Sequence, residues 1–413
     1  MLTSEEKEQF NLILEEIGKS VDITPIQYEA AVTSYKAVGS WLSDKTSSLA
    51  PYLPEILPQG GFLLGTMVRP IGENDELDID LVCRLTGKQQ EWTQYDLKEK
   101  VGDRLKDNAK YKKMLDDEKR RCWTLQYAES SKFHMDILPS LVGAGYKIIF
   151  EKAFSALGSD ASGLAIRITD NEEINYRSEK NPDYWPKSNP FGYAIWFNER
   201  ASLALRKAMS LNENIQPVPA NTEEKLPLQR AIQILKRHRD LMFDGDENRP
   251  ISIIITTLAA RAYKKETSLI DTLIGILNQM RDLIEDRFDP RTGEYIKWIP
   301  NPINLEENFA DKWAETPQKK TNFYKWLDAV QRDFDILFKT SGVPQIAEKL
   351  KELLGEKAVT EAFSALGKNA LASREKKNFF MEKETGILKT SIASSTGMPV
   401  KNHNFHGQDD SAA

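Results

Sequence analysis

The stretch Gly60-Gly61-Phe62-Leu63-Leu64-Gly65-Thr66, followed by Asp78-Ile79-Asp80-Leu81, decides the reading of this chain. A glycine-rich turn comes first and, one loop later, two carboxylates separated by one apolar residue. On a β-strand, residues i and i+2 point to the same face. Asp78 and Asp80 therefore project together while Ile79 and Leu81 face a core. Paired carboxylates beside a phosphate-sized backbone nest make a place for Mg²⁺ and a nucleoside triphosphate. That combination points to phosphoryl or nucleotidyl transfer.

A lone Asp-x-Asp is weak evidence, because acidic pairs abound on solvated strand edges. Here Leu77, Ile79, Leu81 and Val82 flank it, which reads as a strand inside a sheet. A third carboxylate, Asp136, lies within Phe133-His134-Met135-Asp136-Ile137-Leu138-Pro139, another apolar run. Burying an unpaired carboxylate costs several kcal/mol, so Asp136 needs compensation. A metal supplies it; the competing explanation is a salt bridge to Arg69 or Arg84. His134 reads as a strand residue with no catalytic task.

The 413 residues exceed one ordinary core, so two domains and a tail are expected. A net charge of −6 argues against broad, sequence-independent nucleic-acid coating while leaving room for a local basic pocket. The two cysteines, Cys83 and Cys122, sit in apolar runs and read as buried thiols of a reducing cytosol. No signal-peptide block or membrane-length run is present, so a cytoplasmic protein is expected.

Outward from the acidic strand, residues 4 to 17 and the stretch after Thr24-Pro25 read as helices, the second with Tyr28, Ala31, Val32, Tyr35, Val38, Trp41 and Leu42 on one face. Strand-like runs are Asp78 to Arg84, Cys122 to Tyr127, Phe133 to Leu138, Lys147 to Glu151 and Ala165 to Thr169, with a helix from about Tyr95 to Asp107. The charged segment Lys110 to Arg121 reads as solvated surface. Beyond Trp196 the pattern turns helical, most clearly at Ala201 to Leu211, Leu228 to Met242 and Phe323 to Phe338; Ser252 to Leu258 fits strand or helix. Tyr184, Trp185, Tyr193 and Trp196 fit either base stacking or interdomain core. The turn to helical patterning after Trp196 sets domain limits of 1–200 and 201–374, and the fall in apolar density from about Glu375 marks a flexible tail of 375–413.

The order Gly-Gly, Gly-Thr, Asp-x-Asp and a later aspartate in a third strand resembles the DNA polymerase β-type nucleotidyltransferase fold. More narrowly it resembles the CD-NTases, the bacterial cyclic GMP-AMP synthase/DncV-like enzymes that make cyclic oligonucleotide signals in anti-phage (CBASS) defence. The likeness covers roughly residues 25 to 370. It implies an α+β fold: a mixed sheet flanked by helices, a long spine helix, and a C-terminal helical domain closing the nucleotide pocket. It also implies that Asp78, Asp80 and Asp136 hold two Mg²⁺ ions, for which Mn²⁺ can substitute, and carry catalysis. Asp136 is expected on the acceptor side, helping to take the hydroxyl proton. Gly60 and Gly61 would cradle phosphates through backbone N–H groups, with Thr66 as a nearby hydroxyl. Lys236 and Ser252, at the end of one helix and the start of the next element, match positions that hold the triphosphate tail. One departure stands out: the family has Gly-Ser where this chain has Gly60-Gly61. The interval from Gly61 to Asp78 is also long.

The implied activity is synthesis of a cyclic di- or trinucleotide from ATP, with another NTP as a second substrate, releasing pyrophosphate. Further partners implied are an effector that senses the product and proteins of the same operon that conjugate the C-terminus or regulate the enzyme. The rival within the same fold transfers NMP to a protein, RNA or small-molecule acceptor. A catalytically silent nucleotide- or RNA-binding protein is the third reading, against which the three intact aspartates argue.

Overall fold

The computed structural model describes residues 2–72, 76–127, 133–155, 161–202, 224–290 and 293–375, with the short segments 380–382, 388–389 and 397–399. Two helices open the chain. Thr3 caps α1 (Ser4–Ser20) and Thr24 caps α2 (Pro25–Leu42), each hydroxyl accepting from the backbone three residues on, with proline at the first position of α2. Both bury an apolar stripe: Phe10, Ile13, Leu14 and Ile17 in α1, and Ala31, Tyr35, Val38 and Leu42 in α2.

The catalytic-type lobe follows. It contains β1 (Glu55–Pro58), the short α3 (Gly60–Leu64), β2 (Leu77–Thr86), α4 (Gln94–Lys106), α5 (Ala109–Met114), β3 (Trp123–Gln126) and β4 (Phe133–Val142). Then come α6 (Tyr146–Ser155), β5 (Ile166–Ile168), β6 (Lys187–Ser188) and α7 (Pro190–Ala201). The strands form one mixed sheet in the order β1-β2-β4-β5-β6, with β3 also paired to β4. Among the described strands of this sheet, only β2 and β4 run parallel, in a register that sets Asp78 opposite His134 and Asp80 opposite Asp136.

The alternation on β2 sorts its side chains between two cores. Leu77, Ile79, Leu81 and Cys83 join Tyr35, Leu97 and Trp123 on one face of the sheet. Val82 and, on β4, Leu138 pack on the other, in a core shared with the helices that follow. Asp78 and Asp80 share this second face, N-terminal to Val82, so the acidic edge of the sheet looks toward the helical lobe.

That lobe comprises α8 (Pro227–Phe243), α9 (Ser252–Ala262), α10 (Leu269–Gln279), two small hairpins from β7 (Glu285–Asp289), β8 (Glu294–Trp298), β9 (Pro300–Asn301) and β10 (Asn304–Asn308), then α11 (Lys312–Glu315), α12 (Pro317–Leu337), α13 (Val343–Leu354) and α14 (Glu356–Glu375). Helix α1 is first in the chain yet packs on α8, α10 and α14, so the helical core draws on both ends of the sequence.

The structure revises some of these readings and decides others. Lys147 to Glu151 is helix, not strand: Tyr146, Phe150 and Ala153 recur at i, i+4 and i+7 and are buried together, which outweighs the β-propensity of Ile148-Ile149. Ser252 to Leu258 resolves as the buried helix α9. The polar run Asn301 to Phe309 forms a hairpin, and Asn308 Oδ1 accepts from the amides of Ile299 and Ala310, capping the approach to α11. In the expected tail, β11 (Phe380–Glu382), β12 (Leu388–Lys389) and β13 (Gly397–Pro399) pair into a small sheet. The helix expected beyond Ser202 and the Asn402 to Ala413 segment lie outside the described residues.

Candidate active site

Strand β1 delivers the chain to Gln59, whose amide donates to the Asp80 carbonyl at 2.9 Å. The next residue, Gly60, has φ +58°, a left-handed conformation that glycine adopts without penalty. A Cβ there would collide with the Asp80 carboxylate. Gly61 is different: its added Cβ would stand 3.5 Å from Met67 Cγ and 3.7 Å from Lys236 Nζ, ordinary contact distances. The glycine turn is thus wedged between Asp80 on one side and Lys236 on the other.

The acidic residues converge as the period-2 rule requires. Asp78 is exposed, while Asp80 and Asp136 are half-buried. Burial, reinforced by the charges of Asp78 and Asp136, pushes the Asp80 carboxyl up to about 7. Asp136 Oδ1 accepts from the Thr124 hydroxyl at 2.5 Å across the antiparallel β3–β4 pair. Neither arginine offered as its partner is engaged there: Arg84 pairs with Glu55, under the Tyr146 and Phe150 rings, and Arg69 with Glu361. Nearby, burial and Asp136 push the Cys122 thiol up to about 12, which keeps it protonated.

His134 was given no task from sequence, yet it stands inside this cluster. Its Nε2 lies 3.1 Å from Asp78 Oδ1 and its Nδ1 3.3 Å from Glu76 Oε2. The hydrogen bond to Asp78 raises the imidazole to about 9. The ligand atoms of Asp78, His134 and Asp136 all lie within 4.8 Å of one another. Two carboxylates and an imidazole, with Asp80 on the same face, form a donor set suited to a divalent cation. The signal for His134 was present in the sequence: it is two residues before Asp136 on the same strand and so shares its face.

The basic side is built by α8. Gln229, Gln233 and Lys236 follow one another at i, i+4 and i+7, and each donates to a carbonyl of the segment after the glycine turn. Gln229 reaches Leu64 O at 2.8 Å, Gln233 reaches Met67 O at 2.6 Å, and Lys236 Nζ reaches Thr66 O at 3.1 Å. Arg237 adds Arg69 O at 2.6 Å. Lys236 is buried, and burial together with the charge of Arg239 lowers it to about 7. Thr66 is buried too, and its hydroxyl accepts from Lys236 at 3.2 Å. Ser252, first residue of α9, accepts from Arg239 Nη1 at 3.0 Å. It joins the basic row through Arg239, one step removed from the glycine turn. Of the four aromatics, Trp185 and Tyr193 are core, Tyr193 bonding Thr257, and Tyr184 is exposed.

A glycine turn on a mixed sheet, acidic residues on adjacent parallel strands and a basic helix facing them define a nucleotidyltransferase. Residues 54–139 match the family model "Cyclic GMP-AMP synthase DncV-like, nucleotidyltransferase domain". The chain is similar to the DncV-like CD-NTases, in its nucleotidyltransferase region by sequence and over most of its length by fold. Over 98% of its length it is 28% identical to the whole of a Roseivirga ehrenbergii protein named c-di-GMP synthase. It is 23% identical to the cyclic dinucleotide synthase CdnG of Bradyrhizobium diazoefficiens, with 86% of this chain and 82% of that protein covered. Among solved structures, CdnG in complex with GTP aligns with a TM-score of 0.62 at 19% identity, covering 87% of this chain and 99% of that one. E. coli CdnC with ATP gives 0.54 at 15% identity over 84% and 97%. These structural likenesses bear on the fold, which is the expected polymerase β-type core with a helical lobe.

Proposed function

We propose that the protein is a divalent-metal-dependent nucleotidyltransferase that condenses nucleoside triphosphates stepwise into a cyclic dinucleotide, with GTP as a substrate. The observation that carries this reading is the convergence of Asp78, Asp80 and Asp136 opposite Lys236 across the glycine turn. The relatives named as c-di-GMP and cyclic dinucleotide synthases support a two-base ring and favour GTP over the ATP expected from sequence.

Asp78, Asp80 and Asp136 would hold Mg²⁺. When bound, the metal neutralises phosphate charge and lowers the pKa of the attacking ribose hydroxyl. The chain's own groups do the rest. Gly60 and Gly61 present backbone N–H groups to the phosphates with no side chain in the way. Lys236, near neutrality when buried alone, regains full charge beside a triphosphate and so offsets its burial on binding. Thr66 fixes the lysine, Arg239 and Ser252 extend the basic row, and the Thr124 hydroxyl orients Asp136 toward the acceptor. Product sensing by a separate effector in anti-phage defence completes the reading. A regulatory partner protein is consistent with the solved complex of CdnC with HORMA.

Incubation with Mg²⁺ or Mn²⁺ and each combination of the four NTPs, followed by mass spectrometry of phosphatase-resistant products, tests it. The expected outcome is a resistant cyclic species containing guanine. It should fall about 10³-fold or more in Asp136→Asn, a loss of about 4 kcal/mol of transition-state stabilisation, with thermal stability retained. Nucleotide consumed without a cyclic product, and AMP or GMP attached to an added acceptor, would replace the synthase with the acceptor-modifying reading.

A further inference from the structure

Histidine is an unusual neighbour for a Mg²⁺ site, because Mg²⁺ prefers oxygen donors and imidazole suits the first-row transition metals. In this chain the parallel register puts His134 directly across from Asp78 and two residues from Asp136, on the same face. Its Nε2 lies 3.1 Å from Asp78 Oδ1, and one ring nitrogen shares with one oxygen of each aspartate a volume in which all three atoms lie within 4.8 Å of one another. Opposite ligands of a small dication are roughly 4 Å apart, so the three donors need little movement to share one ion. A second, independent feature concerns the far side of the ring. Glu76 Oε2 sits 3.3 Å from Nδ1. A carboxylate on the distal nitrogen is what fixes the tautomer of a metal-bound histidine and raises its donor strength.

We propose that His134, oriented by Glu76, is a nitrogen ligand of the metal held by Asp78 and Asp136, and that it biases the site toward Mn²⁺ over Mg²⁺. The proposal rests on the assignment of those aspartates as metal ligands. Two carboxylates and a triphosphate keep the site hard, which suits Mn²⁺ among the transition dications, while the imidazole adds a bond that Mg²⁺ exploits poorly. Asp80, set against Gly60, is left to the nucleotide side. Glu76 acts through His134 and is a positioning residue.

The test is pulsed EPR of the full chain loaded with Mn²⁺, without turnover. Wild type should show ¹⁴N modulation from a coordinated imidazole, replaced by the ¹⁵N pattern when the protein is made with ¹⁵N-histidine. His134→Gln should abolish it. By calorimetry, His134→Gln should weaken Mn²⁺ at least tenfold and Mg²⁺ less than threefold; Glu76→Gln should weaken Mn²⁺ about tenfold, in line with other outer-shell partners. Bound Mn²⁺ without nitrogen coupling in the wild type would overturn the proposal, whatever the variants do. Mn²⁺ affinity lost in Asp78→Asn and Asp136→Asn but kept in His134→Gln removes the histidine alone. Affinity kept in all three removes the aspartate assignment itself.

Discussion

At the scale of single residues, the two adjacent glycines are not equivalent. Gly60 combines φ +58° with an approach to Asp80 that no Cβ can share. Gly60→Ala should cost at least the 1–2 kcal/mol of a left-handed alanine and displace the Asp80 carboxylate as well. Melting curves and turnover should therefore fall together. Gly61 has room, and Gly61→Ser would supply the hydroxyl that the family carries here. Stability should stay within about 0.5 kcal/mol, while one added hydrogen bond to a charged phosphate should lower the KM for NTP about tenfold. An unchanged KM would mean that the phosphates lie elsewhere. The aspartates could be read from sequence because strand alternation alone places them. His134 obeys the same rule on β4 and was legible in principle. Glu76 and Thr124 were not, since each meets its partner only through pairing between strands.

At the scale of elements, α8 acts as a comb whose teeth are amides and an ammonium. Sequence patterning located this helix well, from Leu228 to Met242 against an observed Pro227–Phe243. On its polar face the sequence singles out Lys236 as a triphosphate ligand but not Gln229 or Gln233, because hydrogen bonds to loop carbonyls leave no period in the sequence. Gln233 is the most committed tooth, donating to Asp22 Oδ1 at 3.0 Å as well as to Met67 O. Asp22 also accepts from Lys225 and Arg230, a buried network. Gln233→Ala should deprive the Met67 carbonyl of this donor, weaken the buried network around Asp22 and cost about 1–3 kcal/mol in urea unfolding. It should also raise the KM for nucleotide, because the turn it holds is loosened. A stability loss with unchanged KM would separate the comb from substrate binding. Helix α6 shows the opposite failure of patterning: its short apolar run looks like strand until the i, i+4, i+7 burial of Tyr146, Phe150 and Ala153 is visible.

At the scale of the molecule, the helical lobe brings a buried cation to the acidic edge of the sheet, and the fold bears that cost before any nucleotide arrives. Lys236 has a folded pKa of about 7 against an ordinary value of 10.5. Below pH 7 the lysine is charged in both states and the full cost of burying it is present. Between 7 and 10.5 the folded state binds fewer protons than the unfolded one, so this contribution becomes more favourable as pH rises, and above 10.5 no cost remains. Lys236→Met should therefore raise the melting temperature of nucleotide-free protein more at pH 6 than at pH 9, while weakening nucleotide binding at least tenfold. A pH-independent difference would place the lysine in solvent. Among the described residues no helix is long and apolar enough to cross a membrane. The boundary between lobes was harder to read than the lobes themselves, because α1 crosses it: Phe10, Ile13, Leu14 and Ile17 pack with α8, α10 and α14.

That crossing sets a clock on biosynthesis. The apolar stripe of α1 leaves the ribosome roughly 350 residues before α14 exists to cover it. At about 5–20 residues per second, it stays at least partly uncovered for on the order of 20–70 s, with α8 and α10 arriving before α14. The sheet can assemble during that interval, before α8 has been made, and the helical core around α1 is complete only once α14 has been made. Newly made chains therefore pass through a period in which the acidic edge exists and its counter-charge on α8 does not.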